Sequence, residues 1–209
     1  MKLLRYVICV GFIAGLGASL ALAQSREAAA DQAMAAAVLP LPESMRSGAG
    51  VVRLDRGGRP EVLQKGTNGM ICIADKPEDA QFDVRCYHES FIPVVYRAFQ
   101  LGYAVSGPKV EEEIKAGKLT LSNDPTAGYR CLGPASGYDP STNSVTTQVE
   151  CWQSIHFPFR TAHALGLPDE SEVSQTLQRT VPYVMSSGKY WSHVMIRHAN
   201  AGDNHPAHN

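Results

Sequence analysis

The segment from Gly66 to His88 constrains the fold of this chain most, because it combines a turn, a short apolar strand and two cysteines. The turn is Asn68-Gly69, two residues that tolerate positive φ. The apolar run that follows contains Cys72, and Cys86 comes after a polar excursion. We interpret the segment as a buried strand that a disulfide joins to the stretch leading into the next helix.

The N-terminus has the pattern of a secretory signal peptide. Lys2 and Arg5 precede an apolar stretch over 7–22, and Ala21-Leu22-Ala23 is an A-x-A cleavage site. We therefore predict removal of residues 1–23 and a periplasmic or secreted protein with no stable membrane insertion after cleavage. The alternative is an uncleaved anchor helix.

Export would place the four cysteines of the mature chain in an oxidising compartment, where disulfides persist. Four cysteines allow three pairings. A hairpin centred on Ser141 brings Cys131 and Cys151 opposite each other, so we predict that disulfide. Elimination then pairs Cys72 with Cys86. The alternative is that one pair stays reduced and packs in the core.

Hydrophobic periodicity predicts an α+β fold, with a mainly antiparallel β-sheet and two or three helices packed on one side. The predicted strands are a hairpin over 51–55 and 60–64, a third strand over 70–74 that would continue a meander, a long strand over 145–157, and a closing hairpin over 183–185 and 190–197. The predicted helices are one over 91–101 capped by Ser90, one that begins at Pro108, and a short one with the capping box of Asp169 and Glu172.

A chain of 209 residues is long enough for a single domain with a substantial core. We predict a signal peptide at 1–23, a partly disordered or helical leader at 24–47, one globular α+β domain at 48–198, and a disordered tail at 199–209.

Two short motifs give the chain a resemblance to a loose group of secreted bacterial proteins. The first is the Asn-Gly-x-x-Cys turn and strand at Asn68, Gly69 and Cys72. The second is a Tyr-x-Met … His-x-Met pattern on the C-terminal hairpin, at Tyr183-x-Met185 and His193-x-Met195. The resemblance implies export and a shared fold but no activity. The Cys131–Cys151 hairpin is an insertion relative to this group, so the resemblance does not support the second disulfide.

Familiar enzyme motifs are absent from the sequence, including G-x-S-x-G, H-E-x-x-H, the P-loop and G-x-G-x-x-G. We therefore predict no catalytic residues and no cofactor, and expect a binding or accessory protein with an unknown partner. One alternative is a secreted hydrolase with a site near His88, Glu89 and His193. A net charge of −1 argues against nucleic acid as the partner, because phosphate binding needs clustered Lys and Arg.

Two groups of side chains are candidate ligand sites. Trp152, His156 and Glu150 share the polar side of the long strand, and an aromatic residue beside titratable groups is typical of a ligand or partner patch. The alternative is that a helix or the leader covers Trp152.

Thioether and imidazole ligands suit copper, so the second group is a possible metal site on the closing hairpin, and a periplasmic copper-binding protein is a further functional alternative. Its residues are Met185, His193 and Met195, with Met70 expected on an adjacent strand. His198, His205 and His208 are expected to form a solvated tail rather than a metal site.

Overall fold

The computed structural model describes residues 24–76, 80–103 and 106–197, and within them ten β-strands form one eight-stranded sheet and one two-stranded sheet. The predicted signal peptide and the predicted tail lie outside the described residues. The strands are β1 (Gly50–Leu54), β2 (Pro60–Gln64), β3 (Met70–Ile73), β4 (Gln81–His88), β5 (Thr126–Pro134), β6 (Tyr138–Asp139), β7 (Ser144–Val145), β8 (Glu150–His156), β9 (Tyr183–Met185) and β10 (His193–Arg197).

The large sheet has the strand order β2-β1-β3-β4-β5-β8-β10-β9, and β6 pairs with β7. Its neighbouring strands are antiparallel except for β1 and β3, which are parallel. The helices are α1 over 24–37, α2 (Glu43–Arg46), α3 (Ile92–Gln100), α4 (Pro108–Lys115) and α5 (Ala162–Leu165). The predicted α+β class with a mainly antiparallel sheet is confirmed.

Both predicted disulfides are present, and each joins directly opposed residues of neighbouring strands. Cys72 of β3 faces Cys86 of β4, and Cys131 of β5 faces Cys151 of β8. All four cysteines lie on strands at the centre of the sheet. The cross-links therefore fix the register of two strand pairs, β3–β4 and β5–β8, on either side of the β4–β5 pair.

The predicted meander is wrong, although the β1–β2 hairpin and the third strand are confirmed. β3 pairs with β1 instead of β2, because the chain after β2 passes around the beginning of β1. The backbone N–H groups of Thr67 and Asn68 donate to the carbonyl oxygen of Gly48 at 2.7 and 3.2 Å. A Cβ atom on Gly66 would lie 2.5 Å from the backbone nitrogen of Gly50, so the crossing requires glycine here.

Helices α3 and α4 pack on the side of the sheet that we call the front face, defined by Arg85 and Tyr87 of β4. The predicted Ser90 cap is wrong: His88 is the N-cap of a 3₁₀ turn, Glu89–Phe91, which leads into α3, and its Nδ1 accepts from the Ser90 backbone N–H. A bidentate pair between Arg97 and Glu113 joins the two helices.

The opposite side, the back face, is defined by Cys86, which alternates with Tyr87 along β4. Helix α1 packs there: Ala37 and Leu41 are fully buried in a cluster with the Cys72–Cys86 disulfide. The segment 24–47, which we expected to lead into the domain, therefore contributes to the core, and helices lie on both faces of the sheet.

The long strand predicted over 145–157 is interrupted at 146–149, and β8 starts at Glu150. The side chains of β8 alternate between the two faces as predicted. At the C-terminal end of β8, however, the side that was expected to be exposed is the buried one. Ile155 is 36% exposed, whereas His156 is 2% exposed. The reason is tertiary packing, which hydrophobic periodicity cannot predict. The ring centres of Phe91 and Trp191 lie 4.5 and 5.2 Å from that of His156 and bury it.

The closing hairpin is confirmed as β9 and β10, with Met185 opposite His193 and Tyr183 opposite Met195. The Asp169 and Glu172 capping box is also present. The predicted helix after it is instead two 3₁₀ turns, Glu170–Glu172 and Leu177–Arg179. Within the described residues, no helix has the length and apolar character needed to cross a bilayer.

Candidate functional site

The front face carries a cavity of about 330 Å³ over β5, β8 and β10, beside the part that α3 and α4 cover. Side chains of apolar or aromatic character form half of its lining, namely Tyr87, Tyr129, Leu132, Trp152, Met185, Trp191 and Met195. The polar side chains of the lining are Ser106, Arg130, Ser154, His156, Ser186, His193 and Arg197. This mixture of aromatic walls with a few polar groups is typical of small-molecule sites.

One end of the cavity, the arginine end, is built on a single row of cross-strand neighbours. Arg130 of β5, Trp152 of β8 and Arg197 of β10 are directly paired in register. The two guanidinium carbons lie 5.4 and 5.8 Å from the centre of the Trp152 ring. Trp152 is half-buried between the two cations, an arrangement that holds its ring in place.

Carboxylates partly balance these cations. Arg130 donates two hydrogen bonds to Asp83, both 2.8 Å long, and Arg85 also pairs with Asp83. Burial opposes the charge on Asp83, but the hydrogen bonds from Arg85 and Arg130 outweigh it and lower the pKa of the carboxyl group. Arg197 Nη1 donates to Glu150 at 3.1 Å. Arg130 and Arg197 line the cavity whereas their partners Asp83 and Glu150 do not, so the lining of this end presents two guanidinium groups and no carboxylate.

The middle of the cavity floor is formed where β5 carries Gly128 instead of a side chain. A Cβ atom there would lie 2.8 Å from Ser154 Oγ and 2.9 Å from His156 Nε2. Gly128 therefore makes the room that these two polar side chains occupy on the neighbouring strand. Ser154 is buried, and its Oγ lies 3.4 Å from the Gly128 carbonyl oxygen and 3.3 Å from His156 Nε2.

The second end, which we call the histidine–methionine corner, consists of His156, Met185, His193 and Met195. His193 of β10 is the direct register partner of both His156 of β8 and Met185 of β9. The two imidazole ring centres are 5.0 Å apart. Met195 follows His193 by two positions and therefore shares its face of the strand.

Both histidines of the corner are held in the neutral form. Burial, with a smaller contribution from His193, lowers the pKa of His156 well below its ordinary value. Burial also lowers the pKa of His193, against the opposing effect of the hydrogen bond to the Trp191 carbonyl. The corner is therefore uncharged at neutral pH.

The hydrogen bonds of each imidazole assign its proton. Ser154 Oγ donates to the Gly128 carbonyl and accepts from His156 Nε2–H, which leaves a lone pair on His156 Nδ1. His193 Nδ1–H donates to the Trp191 carbonyl oxygen at 2.7 Å, which leaves a lone pair on Nε2. Each ring therefore offers one free acceptor nitrogen.

Among the described residues, three buried side-chain atoms have no hydrogen-bond partner, and all three belong to this region. They are Thr126 Oγ1, His156 Nδ1 and Arg197 Nε. His156 and Arg197 line the cavity, and Thr126 is the register partner of His156 on β5. Buried polar atoms are nearly always hydrogen-bonded, so their concentration at one cavity points to a ligand that satisfies them.

The structure brings together residues that the sequence analysis treated as two separate sites. Trp152 and His156, predicted as a ligand patch, line the same cavity as Met185, His193 and Met195, predicted as a metal site. His156 is buried within the cavity lining and is not displayed to solvent. Glu150, the third residue predicted for the patch, is not part of the lining; it pairs with Arg197, which is.

Other predicted residues lie elsewhere. Met70 belongs to the back-face cluster with Cys72, three strands removed from β8, so the expectation that it neighbours the hairpin methionines is wrong. His88 and Glu89 do not converge with His193, because β4 and β10 are separated by two strands, about 14 Å across the sheet. The structure gives no support to a hydrolytic site formed by these three residues.

Several residues of the site were not predicted from the sequence. Tyr87, Arg130, Trp191 and Arg197 sit on four different segments, and none belongs to a recognisable motif. The usable indication was Arg197, a charged residue at the end of the predicted strand over 190–197, where it needs a partner. Without the strand order, that indication could not show that Arg197 shares a row with Trp152 and Arg130.

Comparison with models of protein families, with curated proteins and with solved structures finds no match to this chain.

Proposed function

We propose that this protein binds a small aromatic carboxylate in the front-face cavity and catalyses no reaction on it. The observation that carries the proposal is the concentration of unpartnered buried polar atoms at a cavity with half of its lining residues aromatic or apolar. A binding site of this kind gains affinity from the apolar walls and specificity from the few polar groups.

The two ends of the cavity support the choice of ligand. The lining of the arginine end presents two guanidinium groups and no carboxylate, and Arg197 Nε lacks a partner, so this end favours a carboxylate. Tyr87, Trp152 and Met195 offer ring and thioether surfaces on which an aromatic body can pack.

A hydroxyl group on the ligand would complete the match at the other end, because His156 Nδ1 offers a lone pair without a donor. Arg197 and His193 are four residues apart on β10, which places their Cα atoms about 13 Å apart. Both side chains line the same cavity, so a hydroxylated aromatic acid with one short side arm is the ligand that we propose for this interval.

The proposed setting is the periplasm or the extracellular space. Two disulfides at the centre of the sheet support this setting, because such bonds persist in oxidising compartments. The N-terminal residues 1–23, with the pattern of a signal peptide, support it from the sequence.

Tryptophan fluorescence tests the proposal directly, because both tryptophans of the chain, Trp152 and Trp191, line the cavity. We expect 4-hydroxyphenylacetate to change the emission saturably. The neutral isostere 4-hydroxyphenylacetamide should bind about tenfold more weakly or worse, because it loses a charge-assisted hydrogen bond.

Arg197→Gln should abolish this preference for the carboxylate. Arg53→Gln is the matched control, because Arg53 also pairs with a glutamate of a neighbouring strand but lies away from the cavity. Absence of a saturable change with either compound up to millimolar concentration, or equal affinity for acid and amide, would contradict the proposal. Recovery of unchanged compound after incubation checks that no reaction occurs.

A further inference from the structure

The histidine–methionine corner has the donor atoms of a metal site, and they come from three adjacent strands. Met185, His193 and His156 form one register row across β9, β10 and β8, so their Cβ atoms are about 5 Å apart between neighbours. Met195 adds a second thioether on the same face of β10. All four side chains line the cavity described above.

The two imidazoles are prepared to act as ligands. His193 donates its Nδ1–H to the Trp191 carbonyl oxygen at 2.7 Å, and a backbone carbonyl in this position is the usual means of orienting a metal-binding histidine. The other ring nitrogen of His193, Nε2, is then available to bind an ion. His156 Nδ1 is buried and has no partner among the described residues, which is the independent indication that something binds here.

The donor set also selects the kind of ion. Two neutral imidazoles and two thioethers carry no charge and are soft to borderline ligands, a combination that suits Cu(I). Zn(II) and Cu(II) prefer nitrogen, thiolate and oxygen ligands to thioethers, and their protein sites usually contain at least three such ligands. In the described part of the chain, no group of three or more His, Cys, Asp or Glu side chains could supply them.

We infer that the histidine–methionine corner is a binding site for Cu(I), with Met185 and His193 as its central ligands and His156 and Met195 completing it. The inference goes beyond the proposed binding of an aromatic acid and does not depend on it. His156 Nδ1 is the one atom that both proposals use, so the ion and the hydroxyl group of the acid are expected to compete for it. The carboxylate of the acid is held at the arginine end, about 13 Å along β10 from His193. Each proposal is tested with the other ligand absent, so either can fail alone.

Methyl NMR of the full mature chain can locate the ion. With ¹³C at the methionine ε-methyl groups, addition of Ag(I), a redox-inert analogue of Cu(I), should shift the signals of Met185 and Met195. Met70 should not shift, because it is buried on the back face beside Cys72. Shifts confined to Met70, or absent from Met185 and Met195 at saturating Ag(I), would overturn the inference.

Affinity for Cu(I) itself is measured by anaerobic competition with bicinchoninate. We expect Met185→Leu and His193→Gln each to weaken binding at least tenfold, and Met70→Leu to leave it unchanged. Thermal melting of each variant shows whether it is folded, and Met185→Leu is the decisive variant because its side chain is only half-buried.

The tail histidines require their own control. A variant with His198, His205 and His208 changed to Gln should bind Cu(I) as tightly as the unmodified chain. Tight binding that survives both Met185→Leu and His193→Gln, or that disappears in the tail variant, would overturn the assignment of the site to the corner.

Discussion

Single residues show both the strength and the limit of periodicity as a predictor. The alternation of β8 was predictable from its sequence, since an extended strand projects successive side chains to opposite faces. The choice of buried side was not, because it depends on which face another element covers. Phe91 and Trp191 pack on His156 and bury it, whereas Ile155 lies on the opposite face and is partly exposed to solvent, although isoleucine is the more apolar residue.

Burial of His156 predicts a loss of stability in mild acid. Its pKa lies well below the ordinary value in the folded chain, so below about pH 6.5 the unfolded chain binds a proton that the folded chain does not. Stability should therefore fall as the pH decreases, by about 1 kcal/mol between pH 7 and pH 5.5 from His156 alone. Urea unfolding across this range measures it.

His156→Gln should flatten this pH dependence, whereas His163→Gln, at an exposed position, should not. The neighbouring titratable groups are His193, whose pKa is also lowered and which adds to the slope, and Tyr87, whose pKa is raised by burial. Asp83 does not contribute to the slope between pH 7 and pH 5.5, because its lowered pKa places its titration at more acidic pH. An unchanged slope in His156→Gln would show that this histidine is not held neutral.

At the scale of elements, local pairings were predictable and distant ones were not. The turn around Ser141 and the period of two on its flanks were enough to place Cys131 opposite Cys151, because both act over a short stretch of chain. The parallel pairing of β1 with β3 was missed. It depends on a backbone crossing between Gly50 and Gly66 that appears in the sequence only as two glycines.

Removal of either disulfide should destabilise the fold by a similar amount. The two loops span 14 and 20 residues, and the chain-entropy relation gives about 3 kcal/mol for each. We therefore expect the paired variant Cys72→Ala/Cys86→Ala and the paired variant Cys131→Ala/Cys151→Ala to lose comparable free energy of unfolding in urea titrations.

Thiol labelling of the unreduced chain from residue 24 onward provides the control for this comparison. None of the four cysteines should react in the native or in the urea-unfolded state until a reductant is added. Labelling of one pair in most molecules before reduction would show that this pair is not bonded in the purified protein, and its alanine variant would then report only on side-chain packing.

At the scale of the whole molecule, the two faces of the sheet carry different features. The back face carries both disulfides and α1, whereas the front face carries the cavity and its polar groups. The cavity draws on residues from position 87 to position 197, so its convergence depends on the order of five strands. Residue types made Trp152, His156, Met185, His193 and Met195 candidates, but only the strand order joins them in one site.

The packing of α1 predicts that the segment 24–41 is part of the folded domain. A chain that begins at position 43 lacks the helix and Leu41, which is 1% exposed, and should lose at least about 3 kcal/mol of unfolding free energy through lost apolar burial. A chain that begins at position 31 lacks only mostly exposed helical residues and should change by about 0.5 kcal/mol or less.

Urea unfolding of the two truncated chains measures this difference, and the cavity provides a second readout. Because α1 lies on the back face of the sheet, any folded fraction of the shorter chain should still bind 4-hydroxyphenylacetate with the affinity of the chain that begins at residue 24. Equal stability of the two truncated chains would mean that α1 contributes no packing energy. Loss of binding in a shorter chain that still folds would mean that the two faces are coupled, because removal of a back-face helix would then have altered a front-face site.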